Sequence, residues 1–427
     1  MHENYKSDPT NSVKPNTLCF NEVLYAWAKS SDRASAGRAE MILQLMEDMA
    51  AAGNVDVKPE TRTYNFVLLA WANSDPQESP DRIMDILELM KEDETAKPNA
   101  SSYKTAIAAL VKQRGSEATN SILDLVHEAY ESIPWQIDNQ FFASLFYLMC
   151  KSNNQAAASV AETIVDDLKT TTLIDIDLET RVYNSLINCW SKSGERMAPT
   201  RAEEILQAMY EDYKNNNNEL VKPNVATFTS VIDAWAKSHD PHAGEKGEEW
   251  IDRMIKWGVA PNVLTYTAAI QCYGRSNRAD KTFRAVQMLK RMKEVIDSTE
   301  RAEQGVVGAY NAVMNAAEFT TKGNLEEAFR VACLMFDEVR SSDDIAPDDV
   351  TYGTFMGVIS ELMPSSELRN EMIALVFKRC CSDGQLSPVV VKKFQEASDR
   401  ELYLELMGEA RAHSIPPSWK RNVKAKQ

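Results

Sequence analysis

The chain has 427 residues, 44% of them apolar, and a formal net charge of −16. No apolar run approaches the roughly 18 residues of a membrane-spanning helix. So acidic a chain is poorly suited to holding nucleic acid by bulk charge, so any such role requires a local basic surface.

Residues 1–16 carry neither the apolar core of a signal peptide nor the Arg-rich amphipathic pattern of a transit peptide. They end in Lys14-Pro15-Asn16 and read as the close of an incomplete repeat or as a disordered start. From Thr17 one pattern recurs. Phe20-Asn21 leads to Trp27-Ala28-Lys29-Ser30, Tyr64-Asn65 to Trp71-Ala72-Asn73-Ser74, and Tyr183-Asn184 to Trp190-Ser191-Lys192-Ser193. In Val221–Ser238, a Lys-Pro-Asn turn precedes Phe228, Val231, Ile232 and Trp235, which fall at i, i+3, i+4 and i+7 on one helical face.

The starting aromatics are Phe20, Tyr64, Tyr103, Phe142, Tyr183, Phe228, Tyr266, Tyr310 and Tyr352, spaced 44, 39, 39, 41, 45, 38, 44 and 42 residues apart. A second stripe follows each of several anchors: Ala39, Ile42, Leu43, Met46; Ile83, Ile86, Leu87, Met90; Ala202, Ile205, Leu206, Met209; Ala285, Met288, Leu289, Met292. Two amphipathic helices per period and no β alternation predict an all-α, right-handed α-solenoid of about nine helix-turn-helix repeats over residues 17–388. The polar insertions Ser31–Ala36, Asn215–Glu219 and Ser298–Gln304 belong in surface turns. Residues 389–427 read as capping helices, with Leu402, Leu404, Leu406 and Met407 as apolar surface. A basic tail follows, holding Lys420, Arg421, Lys424 and Lys426, either a solvated end or an RNA tether.

Cys19, Cys150, Cys189, Cys272, Cys333, Cys380 and Cys381 form no CxxC and lie mostly in apolar helical stretches, so free buried thiols are expected. His239 and His242 lack the ligand spacing of a zinc site. There is no Gly-rich phosphate loop and no HxE…CxxC deaminase pair. No cofactor, no metal and no catalysis by this chain alone are expected.

The order aromatic, Asn or Thr, apolar pair, aromatic, Lys, then a second helix and a Lys-Pro-Asn/Asp close, resembles the pentatricopeptide repeat (PPR). The units exceed the usual length, as in long-repeat members such as the PPR region of protein-only ribonuclease P. Lys104, Ala143 and Gly353 depart from the pattern where Asn or Thr is usual. The resemblance implies a single-stranded RNA partner read one base per repeat. It also implies organellar RNA processing, stability or translation, in mitochondria or plastids, with other RNA-processing proteins as further partners and no membrane. Two positions are implied to read each base: the residue after the anchor and the last residue of the repeat. The pairs are Asn21/Glu60, Asn65/Asn99, Lys104/Asp138, Ala143/Glu179, Asn184/Asn224, Thr229/Asn262, Thr267/Val306 and Asn311/Asp348. Asn and Asp after a turn are also good helix N-caps, and the two roles can coexist. Two residues before the anchors, Leu18, Ala226, Leu264 and Val350 would flank bases, and Arg62 and Arg181 could stack on them. Lys29, Lys112, Lys151, Lys192, Lys237 and Arg275 recur at one register near helix ends. They form either a phosphate stripe or a set of charges favoured by the helix dipole. Trp27, Trp71, Trp190 and Trp235 are expected in the core. A protein-binding α-solenoid is the alternative function.

Overall fold

The computed structural model describes residues 15–74, 79–152, 154–296, 305–321, 323–408 and 415–423. The expected N-terminal stretch 1–14, the insertion Ser298–Gln304, and Lys424 and Lys426 lie outside the described residues. Among the described residues the elements are helices, with no strand, and none is long and apolar enough to cross a membrane.

The helices pair into hairpins. They are α1 (Thr17–Lys29) with α2 (Ser35–Ala51), α3 (Thr61–Asn73) with α4 (Ser79–Glu92), and α5 (Ala100–Arg114) with α6 (Thr119–Ser132). Next come α7 (Asn139–Cys150) with α8 (Ala157–Thr170), α9 (Thr180–Ser193) with α10 (Ala198–Asn215), and α11 (Val225–Lys237) with α12 (Ala243–Lys256). The last are α13 (Val263–Arg275) with α14 (Lys281–Val295), α15 (Val307–Glu318) with α16 (Leu325–Ser341), and α17 (Asp349–Leu362) with α18 (Glu367–Ser382). Then follow α19 (Pro388–Ala397) and α20 (Arg400–Met407).

Two compact units divide the described chain: residues up to Glu195 with Gln207–Lys222, and Arg196–Leu206 with residues from Pro223 onward. In the first, α1, α3, α5, α7 and α9 each pack on the next, and α2, α4 and α8 rest on their own first helix and on the following one. In the second, α11, α13, α15 and α17 stack the same way, with α12, α14 and α16 behind them. Each unit is thus a stack of helical hairpins with a core shared between neighbours.

The recurring residues explain the recurring helices. Asn16, Asn99, Asp138, Asn224, Asn262 and Asp348 accept first-turn backbone N–H groups and so start α1, α5, α7, α11, α13 and α17. The Ser after the Trp-Ala/Ser-Lys/Asn run closes the helix. Ser74, Ser193 and Ser238 donate from Oγ to the carbonyls of Trp71, Trp190 and Trp235 at 2.7, 2.9 and 2.8 Å. Phe228, Val231, Ile232 and Trp235 are buried as the stripe requires, and so are Trp71 and Trp190, while Trp27 is half-buried. Each such large apolar side chain contributes about 1.5–3 kcal/mol on burial. Two of the buried indoles keep a polar partner, Trp190 Nε1 donating to Glu162 at 3.1 Å and Trp235 Nε1 to Glu203 at 2.8 Å, whereas Trp71 Nε1 is buried without one.

α19 packs on α17 where a further first helix would lie, covering the stack's last apolar face. Phe394 of α19 stacks on Phe377 with centroids 3.9 Å apart. Leu402 and Met407 of α20 are buried, whereas Leu404 is exposed, because only one side of this short helix meets its neighbours.

Two expectations are corrected. Cys150 and Cys189 are not free thiols. They form a disulfide between α7 and α9, with Cα atoms 5.1 Å apart, because the repeat period brings residues on consecutive first helices side by side. Nor is the described part of the basic tail free. Arg421 Nη2 donates to the Ser382 carbonyl at 2.6 Å, and Asn422 N to the Gly384 carbonyl at 2.9 Å, so residues 415–423 dock on the end of α18.

Candidate nucleic-acid interface

The residue that closes one repeat starts the next first helix. Asn99 Oδ1 accepts the backbone N–H groups of Ser101 and Ser102 at 3.0 and 3.2 Å, while Asn99 N donates to Ser102 Oγ at 3.1 Å. Asn224 with Thr227, Asn262 with Thr265 and Asp348 with Thr351 make the same reciprocal box. Capping is therefore a real role of the second reading position.

The first reading position lies on the preceding first helix and meets this box. Asn21 Nδ2 donates to Glu60 Oε1 at 2.9 Å, Asn65 Nδ2 to Asn99 Oδ1 at 3.2 Å, and Asn311 Nδ2 to Asp348 Oδ1 at 3.1 Å. Thr229 lies one residue removed from Asn262: its hydroxyl is 2.8 Å from Val225 O of its own helix and 2.9 Å from Thr265 Oγ1, which in turn is 2.9 Å from Asn262 Oδ1. Thr267 has no such junction. Its hydroxyl donates to its own helix at Val263 O, 2.8 Å away, and Val306 is buried without a polar side chain to offer. Lys104 turns instead to Ser144 Oγ at 3.0 Å. Asn184 is half-buried on α9, and Asn224 is exposed.

The register two residues before the anchor faces solvent. Leu18, Leu264 and Val350 are 59%, 60% and 53% exposed. Ala226, Arg62 and Arg181 are exposed too. Arg62 stands over the Phe66 ring at 5.4 Å, and Arg181 is held by Glu179 at 2.7 Å.

The basic register divides. Lys112 Nζ donates to the Ala72 carbonyl at 3.0 Å and Arg275 Nη1 to the Ala236 carbonyl at 3.1 Å, each satisfying the last turn of the preceding first helix. Asn73 does the same for Ala28 at 2.8 Å. Lys237 pairs with Asp233. Lys29, Lys151 and Lys192 are exposed. Lys29 lies 5.7 Å from the Tyr25 ring centroid, and Lys151 and Lys192 lie 4.4 and 5.9 Å from that of Tyr147. Tyr147 is 47% exposed, and a hydrogen bond from Lys151 together with its charge holds the phenol below its ordinary range.

Sequence reasoning missed the first-turn hydroxyls. Thr63 Oγ1 donates to Asn21 Oδ1 at 2.9 Å and Ser102 Oγ to Asn65 Oδ1 at 2.6 Å. The signal was available: Thr63, Ser102, Thr227, Thr265 and Thr351 all stand immediately before their anchors. Among the described residues no group of three or more His, Cys, Asp or Glu side chains could hold a metal ion. His242 contacts Glu245 at 2.9 Å.

Residues 145–303 match the family model of the pentacotripeptide-repeat region of PRORP. No curated protein matches the chain. Among solved structures, the chain is similar to the pentatricopeptide repeat protein PPR10 from maize, at 16% identity and a TM-score of 0.49, over 97% of this chain and 55% of that one. Two structures of PPR10 in complex with an 18-nt psaJ RNA element match at 19% and 14% identity, with TM-scores of 0.35 and 0.23. These alignments cover 97% of this chain, and 58% and 72% of those chains. The chain thus spans little more than half the length of the first two of these proteins. Residues 145–303 thus match the long, PRORP-like kind of pentatricopeptide repeat, and anchors, caps and hairpins similar to theirs recur on both sides of them.

Proposed function

We propose that this chain binds single-stranded RNA selectively, one base to each repeat, and acts in organellar RNA processing, stability or translation in mitochondria or plastids. The chain alone binds and does not cleave. The observation that carries this reading is the direct meeting of the paired positions: Asn21 with Glu60, Asn65 with Asn99, and Asn311 with Asp348. Each pair comes from successive repeats and gathers short polar groups of the kind a base edge requires. The exposed Leu18, Leu264 and Val350 stand close by in register, suited to the faces of bases. Thr229/Asn262 supplies the corresponding groups in the sixth repeat, and Lys29, Lys192, Lys237 and Arg275 supply cations for phosphates in an otherwise acidic chain. Selection from a random RNA pool tests the reading: an enriched motif is expected, and a pool that stays random rejects it.

Two finer outcomes are expected. Asn184/Asn224 prefers a pyrimidine, Thr229/Asn262 adenine and Asn311/Asp348 uracil, with a loosely specified base at Thr267/Val306. N-terminal repeats lie towards the 5′ end. Thr229→Asn moves the adenine preference to a pyrimidine, a change on the order of 1 kcal/mol in discrimination, with little effect on the helix because the two residues have similar propensity. Affinities for RNAs varied at that one base check it, and an unmoved preference refutes it. Replacing Lys192 and Lys237 together by Gln weakens all RNAs alike. It flattens the logarithmic salt dependence by about two phosphate contacts' worth, a slope change of roughly 1.4 for a single strand. An unchanged slope removes both residues from the phosphate stripe.

A further inference from the structure

The reading positions differ chemically once their neighbours are counted. In the second repeat the Asn65 amide is engaged at both ends, with Nδ2 on Asn99 Oδ1 and Oδ1 accepting from Ser102 Oγ at 2.6 Å. Ser102 Oγ already accepts the Asn99 N–H at 3.1 Å, and its distance to Asn99 Oδ1 is a longer 3.3 Å, so its single proton goes to Asn65. In the first repeat Asn21 is engaged the same way, by Glu60 and Thr63, and is 0% exposed. The eighth repeat is different. Thr351 Oγ1 donates to Asp348 Oδ1 at 2.7 Å, and Asn311, only 6% exposed, has a buried Oδ1 with no hydrogen-bond partner. A carboxylate offers only acceptors, so the Asn311 amide turns its NH2 to Asp348, which leaves its oxygen without a donor.

The cap residue explains the difference. The short Asp348 side chain keeps its charge over its own first turn and draws the hydroxyl proton to itself. Glu60 is one methylene longer. It carries its carboxylate to Asn21 and leaves the Thr63 proton for the amide oxygen. Asn99 is neutral and competes less well for the Ser102 proton.

We infer that the hydroxyl opening the following helix, Thr63 for Asn21 and Ser102 for Asn65, is a latch that determines specificity by filling the reading amide's acceptor. A latched repeat holds its base loosely. The eighth repeat, whose hydroxyl serves Asp348 instead, reads a base edge that presents a ring N–H. This rests on the RNA-binding reading above and adds which repeats discriminate.

The test measures affinities of the full chain for RNAs varied singly opposite the second and the eighth repeats. For the unaltered chain, the four bases opposite the second repeat are expected to agree within about threefold, and those opposite the eighth to differ by about tenfold or more. Ser102→Ala frees the Asn65 acceptor and raises discrimination opposite the second repeat about tenfold, leaving the eighth as it was. Ser102→Thr keeps the hydroxyl and behaves as the unaltered chain, which a loss of helix capping alone would not explain. Thr63→Val provides the same comparison in the first repeat, and a thermal melt of each variant reports folding. Sharp discrimination opposite the second repeat in the unaltered chain, or none gained in Ser102→Ala, overturns the latch. RNA binding with uniform discrimination along the array refutes the latch alone, whereas no RNA binding refutes the proposed function and the latch with it.

Discussion

Lys393→Met is expected to lower stability at neutral pH by about 3 kcal/mol, the cost of leaving a buried charge without its partner. Glu318 ends α15 with its side chain only 4% exposed, and its Oε1 lies 2.8 Å from Lys393 Nζ on α19. The two residues are 75 positions apart, and the side chain reaches its partner past Gly357 on α17. A Cβ at Gly357 would stand 2.3 Å from Glu318 Oε1, so this glycine leaves the space the carboxylate occupies. Burial pushes the Glu318 carboxyl above its ordinary value of 4.5, and the Lys393 hydrogen bond and charge oppose that rise, while Glu361 and Glu396 add to it. Removing Lys393 therefore raises the carboxyl further. A carboxyl raised in the folded state holds its proton more tightly there than in the unfolded chain. Stability accordingly falls as pH rises from the ordinary value through the folded one, and recovers on acidification. Urea denaturation near neutral pH and near the ordinary carboxyl value of 4.5 checks this: the deficit should be larger at the higher pH. An equal deficit at both would mean that Glu318 is not the group left unpaired.

Gly244→Ala is expected to destabilise by about 2–3 kcal/mol, although helix propensity alone favours alanine by about 1 kcal/mol. Gly244 lies on α12 against α13, where a Cβ would stand 2.3 and 2.4 Å from Tyr273 Cδ1 and Cε1. Tyr273 cannot withdraw. It is 1% exposed, and its hydroxyl donates to Glu248 at 2.6 Å. Overpacking against a pinned ring exceeds the gain in backbone entropy. Thermal denaturation checks the sign: a higher melting temperature would show that α12 and α13 move apart at little cost. Adding Tyr273→Leu to Gly244→Ala should recover part of the loss, since the shorter side chain removes the obstructing ring edge.

The two predictions also mark what was legible beforehand. Glycine at 244 and 357 reads in the sequence as a weakness in a helix, because propensity is local and the obstructing side chains belong to other helices. The apolar stripes, by contrast, were legible throughout. Phe228, Val231, Ile232 and Trp235 share a face because of the helical period alone, and all four are buried. The capping residues were legible for the same reason, since Asn99, Asn262 and Asp348 bond N–H groups within three residues of themselves. The basic register was legible as a pattern but not in its use. Lys112 and Arg275 spend a donor on the preceding helix's last turn, and Lys29, Lys151 and Lys192 remain exposed.

The sequence by itself thus determined where helices begin and end, which faces they bury, and that hairpins recur at intervals of 38 to 45 residues. These features depend on contacts within a few residues, which the helical period and capping chemistry specify. Only the tertiary structure decided which side chains meet across the stack. The Cys150–Cys189 bridge spans 39 residues, the Ser102 proton reaches Asn65 across 37, and Glu318 passes one helix to find Lys393. Docking of Arg421 on α18 belongs with them. Such pairings depend on the axial register and rotation of neighbouring helices. Those are settled by how the apolar faces interlock, and loops of unequal length between repeats hide them from sequence periodicity.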